Sequence, residues 1–195
     1  MNRTAEITRK TRETDISLSI DLDGTGKADV STGIGFFDHM LELLAKHSLC
    51  DISLACRGDV HVDYHHTVED CGLALGAAID KALGERRGIA RYGFFILPMD
   101  ESLCRCAIDL GGRPFLAWST ECVSTMCRDF DIRLFVEFFR ALSVCGRMNL
   151  HIAHTGGNEP HHAAESVFKA FARSLRMACA ADPREAGIPS SKGTL

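Results

Sequence analysis

The chain has 195 residues, of which 46% are hydrophobic and 25% charged, and its formal net charge is −4. This length and composition are typical of a globular protein with a hydrophobic core, built as one large domain or two small fused ones. The weak negative charge gives no electrostatic basis for binding nucleic acid or an anionic membrane, and no apolar run reaches the roughly 18 residues of a membrane span.

The first half of the chain alternates between strand and helix patterns. Apolar and polar residues alternate over Ile16–Leu22, which predicts a half-buried strand. A "DGTG" turn follows, and "KADVS" returns as a second strand. Helical spacing then predicts a helix over Phe36–Ser48, "CDISLAC" predicts another strand, and a second helix is expected over Thr67–Glu85.

The second half of the chain has the same order of patterns. Strands are predicted near Ser102–Leu110 and Arg113–Thr120, followed by a helix near Leu134–Cys145. A strand at Met148–His154 and a helix from Ala163 to about Ala180 complete this half. Each half therefore has a predicted ββαβα order.

Three pairs of segments align between the halves in the same order. "ETDISLSIDLDG" aligns with "ESLCRCAIDLGG", "DHMLELLAKHSLCDISL" with "VEFFRALSVCGRMNLHI", and "DYHHTVEDCG" with "EPHHAAESVF". A period of roughly 95 residues is too long for a solenoid, so we interpret it as an internal duplication. We predict an α/β (α+β) fold of two four-stranded sheets with helices packed between them. Residues 1–195 should form a single compact body, with pseudo-repeat halves at about 1–90 and 91–195.

The HHxxE motif in each half has the chemistry of a metal site. On a helix, a histidine and a glutamate three or four residues apart lie on the same face. Adjacent histidines diverge by about 100°, so they are better placed to bind two different ions, or one ion and a substrate. Imidazole and carboxylate donors without thiolate suit Zn²⁺, Mn²⁺ or Fe²⁺.

A single HH dipeptide at a helix end is more often solvated than metal-bound. Two copies at equivalent positions of the two halves instead favour a role of these histidines as metal ligands. His39 begins a predicted helix, and its counterpart in the second half is Glu137, which could also bind a divalent metal. His47 and His154 are weaker candidates. His61 and His151 lie in predicted alternating strands, where a structural role is favoured.

The nine cysteines have irregular spacings and include no CxxC pair, which favours a reducing cytosol over a secreted disulfide framework. The N-terminus is polar and lacks the apolar core of a signal peptide. We expect a cytoplasmic protein. A plastid protein that has lost its transit peptide is the alternative, against which the initial Met1 argues.

The segments "GIGFFDHML", "GDVHVDYHHTVEDCGLALG" and "HHAAESVFKAFARSLR" closely resemble the imidazoleglycerol-phosphate dehydratase family. The likeness extends over essentially the whole chain, to the terminal "DPREAGIPSSKGTL". It implies a lyase of histidine biosynthesis that dehydrates D-erythro-imidazole-glycerol phosphate to imidazole-acetol phosphate. It also implies two Mn²⁺ per active site and a homo-oligomer of twenty-four subunits with metal sites between neighbouring subunits.

The resemblance also implies roles for individual residues. Glu13 falls on the catalytic acid–base position. Metal ligands are implied at His39, His65, His66, Glu69, Glu137, His161, His162 and Glu165. Substrate contacts, including those to the phosphate, are implied at His47, Arg91, Arg113, Lys169, Ser191 and Lys192.

The sequence departs from the family pattern at Glu137. Many relatives have "EHFF" where this chain has "VEFF", so a carboxylate stands at a histidine position. A carboxylate can replace imidazole on a hard ion such as Mn²⁺. Two other functions fit the motifs: an assembly in which the histidines hold subunits together through structural metals, and a binuclear metallohydrolase. Glu13 and the C-terminal "SSKG" favour the lyase, because a structural metal needs neither a proton-transfer group nor phosphate ligands.

Overall fold

The computed structural model describes residues 3–194. Its first half contains β1 (Thr4–Lys10), β2 (Thr14–Asp21), β3 (Ala28–Ser31), α1 (Gly35–Ser48), β4 (Asp51–Gly58) and α2 (His65–Leu83). Its second half contains β5 (Tyr92–Met99), β6 (Ser102–Asp109), β7 (Phe115–Thr120), β8 (Met126–Cys127), β9 (Phe130–Asp131), a 3₁₀ turn (Ile132–Leu134), α3 (Phe135–Cys145), β10 (Asn149–Thr155) and α4 (Pro160–Cys179).

Two four-stranded sheets have matching topologies. The first has the order β1-β2-β4-β3 and the second the order β5-β6-β10-β7. In each sheet the first three strands of the order are antiparallel. The last strand, β3 or β7, pairs in parallel with β4 or β10, to which it is connected by a crossover through α1 or α3. The predicted α/β fold with two four-stranded sheets is confirmed. The division into one body with two pseudo-repeat halves stays a prediction.

Each half begins with one strand more than the predicted ββαβα order, and these strands are β1 and β5. Both lie at a sheet edge, paired on one side only. In β1 only Ala5 is buried, so the sequence lacks the apolar alternation of a half-buried strand. In β5 both faces are apolar, because Phe94 and Ile96 are exposed whereas Phe95 and Leu97 are partly buried, so the apolar–polar alternation is missing. The short β8–β9 hairpin was not predicted either.

The four helices lie between the two sheets. Helix α2 packs on β1 and β2, and α4 packs on β5 and β6. Across the middle, α1 contacts α4 and α2 contacts α3, so the helices of one half pack mainly against those of the other. The apolar stripe of α1, including Phe37, Met40, Leu41 and Leu44, is fully buried there. Burial of each such side chain stabilises the folded chain by roughly 1.5–3 kcal/mol.

Two glycines allow the close approach of α2 and α3. A Cβ atom added to Gly72 would lie 2.5 Å from the carbonyl oxygen of Phe138. One added to Gly76 would lie 2.5 Å from the carbonyl oxygen of Leu142. Because these contacts are to backbone rather than to flexible side chains, any larger residue would push the two helices apart. This packing fixes the position of α2 against α3, and with it the position of the first HHxxE motif at the start of α2.

Candidate metal centre and active site

Both HHxxE motifs lie in the first turn of a helix. His65 and His66 open α2, and His161 and His162 follow Pro160 at the start of α4. In each case an acidic residue two positions before the first histidine accepts a hydrogen bond from that histidine's backbone N–H: Asp63 at 2.8 Å and Glu159 at 3.2 Å. These bonds satisfy a free N–H group at the helix end, and they give both motifs the same local backbone anchor.

Three predicted ligands converge at the start of α1 and α4. The Nε2 atoms of His39 and His161 each lie 3.0 Å from Oε1 of Glu165. Donor atoms of all three residues lie within 4.8 Å of one another. In octahedral coordination at about 2.1 Å, neighbouring donors of a small divalent cation lie about 3.0 Å apart. The two nitrogens and one oxygen therefore fit a divalent transition metal and fill three of its six octahedral positions.

Glu165 also contacts Lys169, one helical turn further along α4, through its second carboxylate oxygen. Burial alone would oppose ionisation of Glu165, but hydrogen bonds with Lys169, His39 and His161 outweigh it and lower the pKa of Glu165 to about 2. The carboxylate is therefore ionised and ready to bind a cation. Burial, with the positive charges of Lys169 and Arg173, lowers the pKa of His47 and favours its neutral form.

The equivalent residues of the first motif are less tightly gathered. His65 Nε2 lies 3.3 Å from Oε2 of Glu69. Within residues 3–194, Glu137 joins no cluster of three metal-ligating groups, and its carboxylate pairs instead with Arg140, one turn along α3. The structure thus brings His65 and Glu69 together, whereas the carboxylate of Glu137 is paired with the guanidinium of Arg140.

The second histidine of each motif contacts other carboxylates. Asp59 lies 3.0 Å from Nδ1 of His66, and Glu101 lies 3.0 Å from Nδ1 of His162. These hydrogen bonds raise the pKa of both imidazoles. Glu13 lies on the other side of the His66 ring, 3.7 Å from Nε2, and its side chain is 52% exposed. The predicted acid–base is thus accessible to solvent and next to a predicted ligand.

Sequence reasoning missed Asp59, although an acidic residue directly after a strand and seven positions before His66 was a visible signal. It also missed the contact between Tyr64 and Asp129, whose Oη and Oδ2 atoms are 2.7 Å apart. This contact ties the start of α2 to the β8–β9 hairpin. The hairpin borders a cleft of about 620 Å³ that is also lined by His39 and His161. No sequence signal pointed to the hairpin.

The residues predicted to hold phosphate are grouped near Arg91. Its guanidinium donates to Asp109 at 2.6 Å and to the carbonyl of Pro189 at 2.8 Å, at the start of the segment that carries Ser191 and Lys192. A Cβ atom on Gly111 would lie 2.7 Å from Arg91 Nη2, so the turn leading to Arg113 passes the same guanidinium. Arg113, Ser191 and Lys192 are exposed. The residues predicted to bind phosphate thus lie on three separate segments of the chain, and the hydrogen bonds of Arg91 keep these segments close to one another.

The remaining histidines have separate environments. His61 lies in a turn after β4 rather than in a strand, so that prediction was wrong because β4 ends at Gly58. His151 is on β10 and exposed, whereas His154 is buried and its Nδ1 lies 3.2 Å from the hydroxyl of Thr120. Burial lowers the pKa of His154. None of the three belongs to a metal-ligating cluster within the described residues.

The fold and the site together define an α/β enzyme with paired histidine–glutamate motifs at helix starts. Residues 32–175 match the sequence profile of the family described as imidazoleglycerol-phosphate dehydratase. A protein of that name from Cereibacter sphaeroides is 57% identical over 99% of this chain and 100% of its own length. The protein of that name from Methylorubrum extorquens is 56% identical over the same shares.

Solved structures show the same likeness. Imidazoleglycerol-phosphate dehydratase from Staphylococcus aureus aligns with a TM-score of 0.83 at 33% identity, covering 92% of this chain and 99% of that one. The protein from Pyrococcus furiosus, solved in complex with (S)-C348, aligns with a TM-score of 0.82 at 29% identity, covering 97% and 100%. The chain belongs to the imidazoleglycerol-phosphate dehydratase family. It is a hydro-lyase of histidine biosynthesis. Among the described residues, no helix is both long and apolar enough to span a membrane.

Proposed function

We propose that this chain dehydrates D-erythro-imidazole-glycerol phosphate to imidazole-acetol phosphate with two Mn²⁺ per active site. Family membership supports the reaction. The observation that carries the metal dependence is the convergence of His39, His161 and Glu165, whose donor atoms lie within 4.8 Å of one another. The mixed nitrogen and oxygen donor set, without a thiolate, suits Mn²⁺.

The substrate's chemistry explains why metal-ligating side chains would surround it. The C–H bond next to the imidazole ring is not activated by a carbonyl group, so the ring itself must accept electron density when the proton leaves. A bound divalent cation supplies Lewis acidity toward a ring nitrogen. His39, His161 and Glu165 would hold one cation. His65 and Glu69 would contribute to the second.

The chain's own acid–base is Glu13 in this proposal. Its carboxylate is accessible and lies within 3.7 Å of His66 Nε2, so it is near a predicted ligand without being buried. It would remove the proton from carbon or deliver a proton to the departing hydroxyl. Arg113, Ser191 and Lys192 would bind the phosphate, and this anchoring would hold the reacting carbon in place.

The oligomeric state belongs to the same proposal. The cluster of His39, His161 and Glu165 offers three donors, and neither His66 nor His162 of the same chain lies in it, so a neighbouring copy would have to supply further ligands. The outer face of the second sheet also exposes apolar side chains, including Phe94 at 66% and Ile96 at 59%. Such a patch is typical of a surface buried by a partner. We propose a homo-oligomer of twenty-four subunits with metals between subunits, acting in the cytoplasm. The nine unpaired cysteines support that compartment.

The test is turnover of imidazole-glycerol phosphate by the metal-depleted chain, with Mn²⁺ or Mg²⁺ added back. We expect turnover to return with Mn²⁺ and to stay low with Mg²⁺, which prefers oxygen donors. The variant Glu165→Gln should need far more Mn²⁺. Full turnover without any divalent metal would refute the metal dependence, and metal binding without turnover would favour a structural role for the histidines.

A further inference from the structure

The second histidine of each motif uses its two ring nitrogens in the same way. Nδ1 of His66 lies 3.0 Å from Asp59 Oδ2, and Nδ1 of His162 lies 3.0 Å from Glu101 Oε2. The nearest carboxylate oxygens to the opposite nitrogens, Nε2, are beyond hydrogen-bond distance: 3.7 Å to Glu13 and 3.8 Å to Asp100. An ionised carboxylate can only accept a hydrogen bond. Each neutral ring must therefore carry its proton on Nδ1, and Nε2 is left with a free lone pair.

The two halves reach this arrangement with different residues. Glu13 and Glu101 occupy equivalent positions, each directly before the second strand of its sheet. Glu101 holds His162, but Glu13 does not hold Nδ1 of His66 because Asp59 already does. The backbone explains the placement of Asp59, whose N–H donates to the carbonyl of Glu13 at 3.0 Å.

The second half has glycine where the first has Asp59. After β10 the chain continues with Gly156 and Gly157, both with positive φ. A Cβ atom on Gly157 would lie 2.6 Å from Cγ of Glu101 and 2.9 Å from its Oε1. A side chain at that position would displace the Glu101 carboxylate. The absence of a side chain at Gly157 therefore gives Glu101 the space to reach His162.

We propose that Asp59 and Glu101 are positioning residues that orient His66 and His162 and fix their tautomers, so that each presents Nε2 to a bound metal ion, and that Asp59 thereby leaves Glu13 free for proton transfer. This inference rests on the proposed function, because it assigns the free Nε2 atoms to metal. It also explains why equivalent glutamates have different roles. Glu101 acts through His162, whereas Glu13 acts on the substrate.

The experiment titrates the metal-depleted chain with Mn²⁺ and counts free Mn²⁺ by electron paramagnetic resonance. Asp59→Asn and Glu101→Gln keep the side-chain volume but lose the charge, and each should weaken Mn²⁺ binding about 10–100-fold, as loss of a ligand's hydrogen-bonding partner does. Asp182→Asn removes a surface carboxylate whose hydrogen bonds, among residues 3–194, are all with Arg184, and this variant should bind Mn²⁺ like the wild type. Thermal unfolding of the metal-depleted variants should match the wild type, since neither carboxylate is in the core.

Turnover at saturating Mn²⁺ separates positioning from catalysis. Glu101→Gln should regain nearly wild-type turnover when Mn²⁺ is saturating, whereas Glu13→Gln should not. Unchanged Mn²⁺ affinity in both Asp59→Asn and Glu101→Gln would overturn the inference. So would a loss of turnover in Glu101→Gln that persists at saturating Mn²⁺. If the wild type itself bound no Mn²⁺, the proposed function would fail instead, so the two failures are distinguishable.

Discussion

Replacing Glu165 by glutamine removes the carboxylate on which three hydrogen bonds converge. Its Oε1 lies 3.0 Å from the ring nitrogens of both His39 and His161, and its Oε2 pairs with Lys169. Glutamine keeps the volume but is neutral, and its NH₂ group would face other donors. The Lys169 side chain, only 16% exposed, would lose its anionic partner. We therefore expect the substitution to destabilise the chain even without metal.

The size of the effect follows from the ionisation of Glu165. Its pKa is about 2 in the folded chain, against an ordinary value of 4.5. At 1.36 kcal/mol per pKa unit this difference corresponds to about 3 kcal/mol, and solvent screening of the partly exposed histidines reduces it to about 1–3 kcal/mol. Because the folded-state pKa is the lower one, this stabilisation is present above about pH 4.5 and is lost as the pH falls toward about 2.

Urea unfolding of the metal-depleted chain between about pH 3 and pH 7 measures this effect. Glu69→Gln is the matched control. Glu69 occupies the same place in the first motif, but it is 44% exposed and lies 3.3 Å from His65, so its loss should cost under about 1 kcal/mol. At pH 7, Glu165→Gln should lower the free energy of unfolding more than Glu69→Gln does. The difference between the two variants should become smaller at acidic pH. Equal losses of stability in the two variants, or a difference between them that does not depend on pH, would refute the assignment of Glu165 as the ionised carboxylate that holds His39, His161 and Lys169.

Three further expectations concern catalysis, protons and assembly. Glu13→Gln should lower turnover about 10²–10⁴-fold with unchanged Mn²⁺ binding; turnover within about threefold of wild type would exclude Glu13 as the acid–base. Hydrogen bonds with carboxylates raise the pKa of His66 and His162, so protons should begin to displace Mn²⁺ above the ordinary histidine pKa of about 6.5. A Mn²⁺ affinity that is constant from about pH 8 to pH 6 would contradict this. Chelation with EDTA should shrink the particle in light scattering if, as proposed, the metals lie between subunits; a full-sized particle without metal would argue against ligands from neighbouring subunits.

The sequence predicted the helices and strands that bury one face and expose the other. Helix α1 and strand β2 each bury one face, so their periodicity is regular and their predicted bounds agree with the structure to within about two residues. The edge strands β1 and β5 were missed because their side chains do not follow that rule. Strand β1 buries only Ala5, and β5 carries apolar residues on both faces, so neither shows the period of two that indicates a half-buried strand.

The site was predictable where its residues share a helix turn, as in the spacing of His161 and Glu165. It was not predictable where the partners come together only in three dimensions. Asp59 reaches His66 because β4 ends beside the start of α2, and no motif indicates that pairing. Glu137 and Arg140 are three residues apart on one helix, so their spacing did allow an ion pair, but it could not show that this pair forms in place of a metal contact.

The packing of α1 against α4 and of α2 against α3 has a consequence for the history and folding of the chain. A half-length polypeptide of this design would cover one face of its helices with its own sheet but leave exposed the faces that pack against the helices of the other half. Such a polypeptide could bury them only by pairing with a second copy, as an obligate homodimer does. Joining two copies end to end converts that pairing into an intramolecular step, which no longer depends on protein concentration. It also allows the two copies to diverge, which would let one glutamate orient an imidazole while its twin moves a proton, as we propose for Glu101 and Glu13.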